Sequence, residues 1–71
     1  MTDIDLLKEK IHDSGMTVTH ICQKVGILRE TFYNRLNGKS EFTASEIVAL
    51  SLVLRLTRTE RDKIFLNKKL N

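Results

Sequence analysis

Proline is absent from the 71 residues, and glycine occurs three times, at Gly15, Gly26 and Gly38. A β-sandwich of this size would carry more turn residues and more β-branched alternation, so the scarcity of both favours helices joined by tight turns. Cysteine occurs once, as Cys22, which excludes an intrachain disulfide framework and fits a reducing compartment. No run of 18 apolar residues exists to span a bilayer. The start, Met1-Thr2-Asp3-Ile4-Asp5, lacks the basic and apolar regions of a signal peptide, so a soluble cytoplasmic protein is expected. A large charge excess is lacking too. Twelve basic residues against nine acidic ones leave a net charge of +3, and the pI of 9.3 permits an anionic partner without requiring one.

Length sets a further bound. One small domain, residues 1–71, is expected, because a chain of this size buries only about 60% of the surface its unfolded form exposes. That leaves little room for an enclosed active-site cleft.

The residues present spell out five helices. Asp3 can cap a helix from about Ile4 to Ser14, with Ile4, Leu7 and Ile11 on one face and Gly15 as its left-handed end. Thr17 is the next cap, followed by the stripe Val18, Ile21, Cys22 and Val25, and Gly26 ends that helix. A third helix runs from about Leu28 or Arg29 to Leu36. Its inner face is Phe32 and Leu36, joined by Leu28, and Asn37-Gly38 closes it. Thr43-Ala44-Ser45-Glu46 is a capping-box pattern that opens a helix of roughly eleven residues. Ile47, Val48, Leu50, Leu52, Val53 and Leu54 make it apolar on nearly all sides, as suits a central position. A second capping box, Thr57-Arg58-Thr59-Glu60, opens a last helix to about Lys69, with Ile64 and Phe65 buried. Leu66 and Leu70, four apart, form either ordinary core or a strip for a homodimer.

The segment from Thr17 to Leu36, TVTHICQKVGILRETFYNRL, carries the strongest signal. Cys22 is a small residue where two helices would cross, Gly26 permits the turn between them, and Phe32 clamps the second helix to the first. With Ser14-Gly15-Met16-Thr17 before it and Asn37-Gly38-Lys39 and Phe42-Thr43-Ala44-Ser45-Glu46 after it, the chain resembles the Cro/CI repressor family over roughly Ile4 to Phe65. The resemblance implies an all-α, compact, five-helix lambda-repressor-like domain with a helix-turn-helix at about residues 17–36. It further implies a DNA-binding transcription regulator of a temperate phage, acting on double-stranded operator DNA in a lysis–lysogeny switch.

On that resemblance the helix from Arg29 to Leu36 enters the major groove. Arg29, Glu30, Thr31, Tyr33 and Asn34 are then the base-reading candidates, with Arg29 suited to guanine and Asn34 to adenine. Thr17, Thr19, Lys24, Arg35 and Lys39 are candidates for phosphate. The stretch from Lys24 to Lys39 holds four basic residues and one acid, and Arg55 to Asn71 holds six basic and two acidic. The second basic stretch is read either as a backbone contact or as a solvated helix face.

Three residues point to a second partner. Val18 stands where many family members carry Gln for a phosphate, Leu28 where Ser, Thr or Asn caps the recognition helix, and Glu30 puts negative charge near the groove. The alternative is an antirepressor, a modulator that grips a CI-like repressor through Leu28, Arg29, Glu30, Tyr33 and Asn34 and alters its DNA binding.

Other chemistry finds no support in the sequence. His20 and Cys22 lie about 200° apart around a helix and His12 is on another, so no convergent metal ligands are expected. Ser14 and Ser45 have no general base arranged beside them. The acids Asp3, Asp5, Glu9 and Asp13 alternate with Lys8 and Lys10 as on a solvated helix face. No enzyme activity and no cofactor are expected.

Overall fold

A computed structural model describes residues 2–66 of the chain. Five helices follow one another: α1 Ile4–Ser14, α2 Val18–Val25, α3 Arg29–Leu36, α4 Ala44–Val53 and α5 Arg58–Phe65. No strand occurs among the described residues.

Helix starts follow from cap chemistry. Asp3 accepts the Leu6 N–H and Thr17 the His20 N–H, each relieving one unpaired donor of a first turn. Thr43 and Thr57 each open a reciprocal capping box, with Glu46 and Glu60 accepting the N–H of the cap residue in return. The stop of α2 needs Gly26, whose φ of +82° lies in the left-handed region. α4 ends without glycine. Arg55 takes the left-handed position, φ +54°, and the Leu56 N–H returns to the Ser51 carbonyl.

The core draws on every helix. Leu7 and Ile11 of α1, Ile21 and Cys22 of α2, Phe32 and Leu36 of α3, Leu50 of α4 and Ile64 and Phe65 of α5 are buried with Phe42 from the α3–α4 connection. Three aromatic rings run through it edge to face, Phe32 to Phe42 at 6.0 Å and Phe42 to Phe65 at 5.6 Å. α2 packs on α3 and α4, and α5 packs on α1 and α4. The Asp3 N–H donates to the Ile64 carbonyl, and Lys10 Nζ donates to Glu60 at 2.6 Å, so α1 is tied to α5 at its start and again two turns along.

Three expectations are revised. α4 is not buried all round: Leu50 is fully buried, but Val48 is 56% and Leu52 75% exposed, because α2 and α5 cover only part of its circumference. Leu28 does not join Phe32 and Leu36 inside. It is the extended cap residue of α3, off the helical repeat, and is 76% exposed. α5 runs to Phe65, with Leu66 as its exposed cap, while Lys69 and Leu70 lie outside the described residues.

Candidate functional site

α2 and α3 are short helices joined by Gly26, Ile27 and Leu28. The N–H groups of Gly26 and Ile27 both donate to the Cys22 carbonyl, which closes α2 tightly. Ile27 then packs against the core and fixes the direction in which the chain enters α3. Cys22 is buried where these elements meet. Burial pushes its thiol up from the ordinary value, and the nearby Arg29 charge opposes this only in part. A thiol so placed is a packing group rather than a nucleophile.

Phe32 and Leu36 hold α3 to the core, and this fixes what the helix turns outward. Arg29, Glu30 and Tyr33 are exposed, while Thr31 and Asn34 lie half-buried at the edges. The Arg29 guanidinium carbon sits 5.9 Å from the centre of the Tyr33 ring, a cation–π contact one helical turn apart. The inner side of Tyr33 meets Phe32 edge-on at 6.4 Å. The outer face therefore combines a positive donor fork, an aromatic ring, a carboxylate and an amide on a helix whose back is clamped.

The expected phosphate-binding residues divide into two groups. Thr17, Thr19, Lys24 and Lys39 are exposed, and the Thr17 oxygen already accepts the His20 N–H. Arg35 is engaged inside the molecule. Its Nε donates to Glu46 Oε1 at 2.6 Å, its Nη2 to Glu46 Oε2 at 3.1 Å and its Nη1 to Ser40 Oγ at 2.8 Å. Desolvation pushes the Glu46 carboxyl up, but hydrogen bonds from Arg35 and Thr43 and the Arg35 charge outweigh it, and the net shift is downward. Sequence reading found Glu46 as a helix-start residue and missed it, with Ser40, as the partner of Arg35. The capping box was the only signal, and it does not reveal a contact eleven residues back.

His20 is exposed and Cys22 buried, so the two do not converge. Among the described residues no three His, Cys, Asp or Glu side chains group as a metal site. Among the described residues, three of the surface hollows measure 260, 220 and 190 Å³, each below the roughly 300–1,000 Å³ of sites that enclose small molecules. No described helix is long and apolar enough to cross a membrane. No protein-family model, curated protein or solved structure matches the chain.

Proposed function

We propose that the protein is a DNA-binding transcription regulator, with α2 and α3 as the helix-turn-helix of a lambda-repressor-like domain and α3 as the helix that enters the major groove. The observation that carries this reading is the split of α3: Phe32 and Leu36 anchor it in the core, while Arg29, Glu30 and Tyr33 are exposed and Asn34 is half-buried at the edge. A helix that reads bases needs both, since its side chains must be aimed by a backbone that does not yield.

Roles follow from donor and acceptor patterns. The Arg29 fork matches the two acceptors of guanine, the Asn34 amide matches the acceptor and donor of adenine, and the Glu30 carboxylate accepts from the cytosine amine. The cation–π contact with Tyr33 limits the freedom of Arg29 before DNA arrives. Thr17, Thr19, Lys24 and Lys39 are free to donate to phosphates around the groove. The reading includes no catalytic step, metal or cofactor. It places the protein in the bacterial cytoplasm, and the resemblance to Cro/CI repressors suggests a phage lysis–lysogeny switch as its setting.

One observation favours a second reading. Leu28 is 76% exposed directly before the exposed Arg29 and Glu30. An apolar side chain beside these polar ones also suits a protein interface, and the partner would be a CI-like repressor.

A mobility-shift titration on duplexes selected from a random pool tests both. Under the DNA reading the chain selects a defined sequence, and Arg29→Ala costs about 1–3 kcal/mol on it. Equal binding to every duplex, with Arg29→Ala indistinguishable from wild type, refutes that reading. If the chain retains no duplex but changes the shift given by a CI-like repressor, the second reading takes its place.

A further inference from the structure

We propose that Arg35 is a positioning residue, not a phosphate ligand, and that the clamp it forms with Glu46 and Ser40 sets Lys39 as a phosphate contact beside the base-reading face. The proposal rests on the DNA-binding reading above and deepens it.

The clamp closes on three elements. Arg35 lies in the last turn of α3, Ser40 in the α3–α4 connection and Glu46 in the first turn of α4. Each guanidinium nitrogen of Arg35 already donates to one of these partners, two of them to the two oxygens of one carboxylate. The Arg35 and Glu46 side chains are each only 16% exposed. Three of the five N–H donors of Arg35 are spent in these bonds, and swinging the side chain out to a DNA phosphate would break charge-assisted bonds that a phosphate could only replace. Glu46 is itself held in place, because its Oε1 also accepts the Thr43 N–H at 2.9 Å.

Lys39 sits inside this frame. Its backbone N–H donates to the Asn34 carbonyl at 2.9 Å, and the Gly38 N–H donates to the Arg35 carbonyl at 3.2 Å. The φ of +79° at Gly38 lets the chain fold back in this way. Lys39 is thus fixed on one side by α3 carbonyls and on the other by the Arg35–Ser40 bond. Its backbone lies against Asn34, one of the proposed base readers, while its side chain is exposed. The backbone that carries the Lys39 cation is therefore tied to the backbone that carries the Asn34 amide.

Two measurements on the full chain test the proposal. The first needs no DNA. Amide hydrogen exchange is compared between wild type and Arg35→Ala. Protection at Gly38 and Lys39 should fall by about tenfold, while the amides of Phe32 and Leu50 keep theirs and show that the fold persists. Unchanged protection at Gly38 and Lys39 would overturn the clamp.

The second is affinity against salt, on a duplex selected by the wild-type chain from a random pool. Lys39→Ala should reduce the salt slope by about 0.9, the value for one lost phosphate contact. Arg35→Ala should weaken binding about tenfold and leave the slope at the wild-type value, because Lys39 still reaches its phosphate but must first be ordered on binding. Arg35→Lys keeps the charge but cannot span both carboxylate oxygens and Ser40, so it should bind like Arg35→Ala. A slope lowered by Arg35→Ala and restored by Arg35→Lys would make Arg35 a phosphate ligand and end the proposal. If the wild-type chain selects no duplex, the functional reading fails, and hydrogen exchange alone decides whether the clamp exists.

Discussion

Phe32 and Tyr33 are neighbours in sequence with opposite assignments, and truncating each in turn tests the orientation of α3 on which the functional reading depends. Phe32 is fully buried and touches Phe42 edge-on at 6.0 Å. Phe32→Ala should remove about 3–5 kcal/mol through lost burial and the cavity left behind. A 71-residue chain has roughly 4–11 kcal/mol of total stability at about 0.05–0.15 kcal/mol per residue. The variant should therefore retain little margin, with a melting temperature lower by at least about 12 °C. Tyr33 is 39% exposed. Tyr33→Ala loses the Arg29 contact and the edge contact with Phe32, together about 1–2 kcal/mol. Thermal and urea unfolding followed by circular dichroism give both numbers. If Tyr33→Ala destabilises the fold as much as Phe32→Ala, the face assigned to solvent is not free, and α3 cannot present the proposed residues to a groove.

Two further predictions concern helix ends. Both capping-box glutamates titrate below the ordinary carboxylate value of 4.5. For Glu60 the largest cause is the hydrogen bond from Lys10. For Glu46 desolvation raises the carboxyl, but the bonds and charge from Arg35 with the Thr43 bonds lower it by more. A carboxyl lowered on folding contributes stability that is present above its unfolded pKa and is lost as pH falls through its folded pKa. Urea midpoints should hold steady from neutral pH down to about 4.5 and fall below it, and Glu46→Gln should flatten that fall; an equal acid dependence in the variant would remove Glu46 as a source. Leu28 occupies a cap position, φ −70° and ψ 144°, with no side-chain hydrogen bond. Leu28→Ser should stabilise α3 by about 0.5–1 kcal/mol, seen as a higher melting temperature, and a lower one would show that Leu28 contributes packing its exposure does not reveal.

Local chemistry made much of the fold legible. Caps and breakers act within four residues, so Asp3, Thr17, Thr43, Thr57 and the glycines place four helix starts and several stops from sequence alone. Burial was legible where the apolar stripe is narrow, as with Leu7 and Ile11 or Phe32 and Leu36. It was not legible on α4, where apolar residues surround the helix and only packing decides that Leu50 goes in and Leu52 stays out. Leu28 misled because a four-residue step back from Phe32 assumes a helix that has not yet begun. Arg35 reads in sequence as one more free cation, because its charge is visible there and its partner on another helix is not. Lys10 and Glu60, fifty residues apart, show the same limit.

The two capping boxes have a consequence for how the chain assembles. In each, a glutamate accepts a backbone N–H from its own first turn and a cation from a distant helix, Arg35 for Glu46 and Lys10 for Glu60. The local bond needs only four consecutive residues and can form while the chain is still open. Once it forms, the carboxylate is already confined to one rotamer and aimed outward from the helix start. The incoming arginine or lysine then meets a stationary target, so less side-chain entropy remains to be lost than for an ordinary surface pair. Secondary structure here prepares its own tertiary contacts: the atoms that tell α4 and α5 where to begin also tell α3 and α1 where to dock.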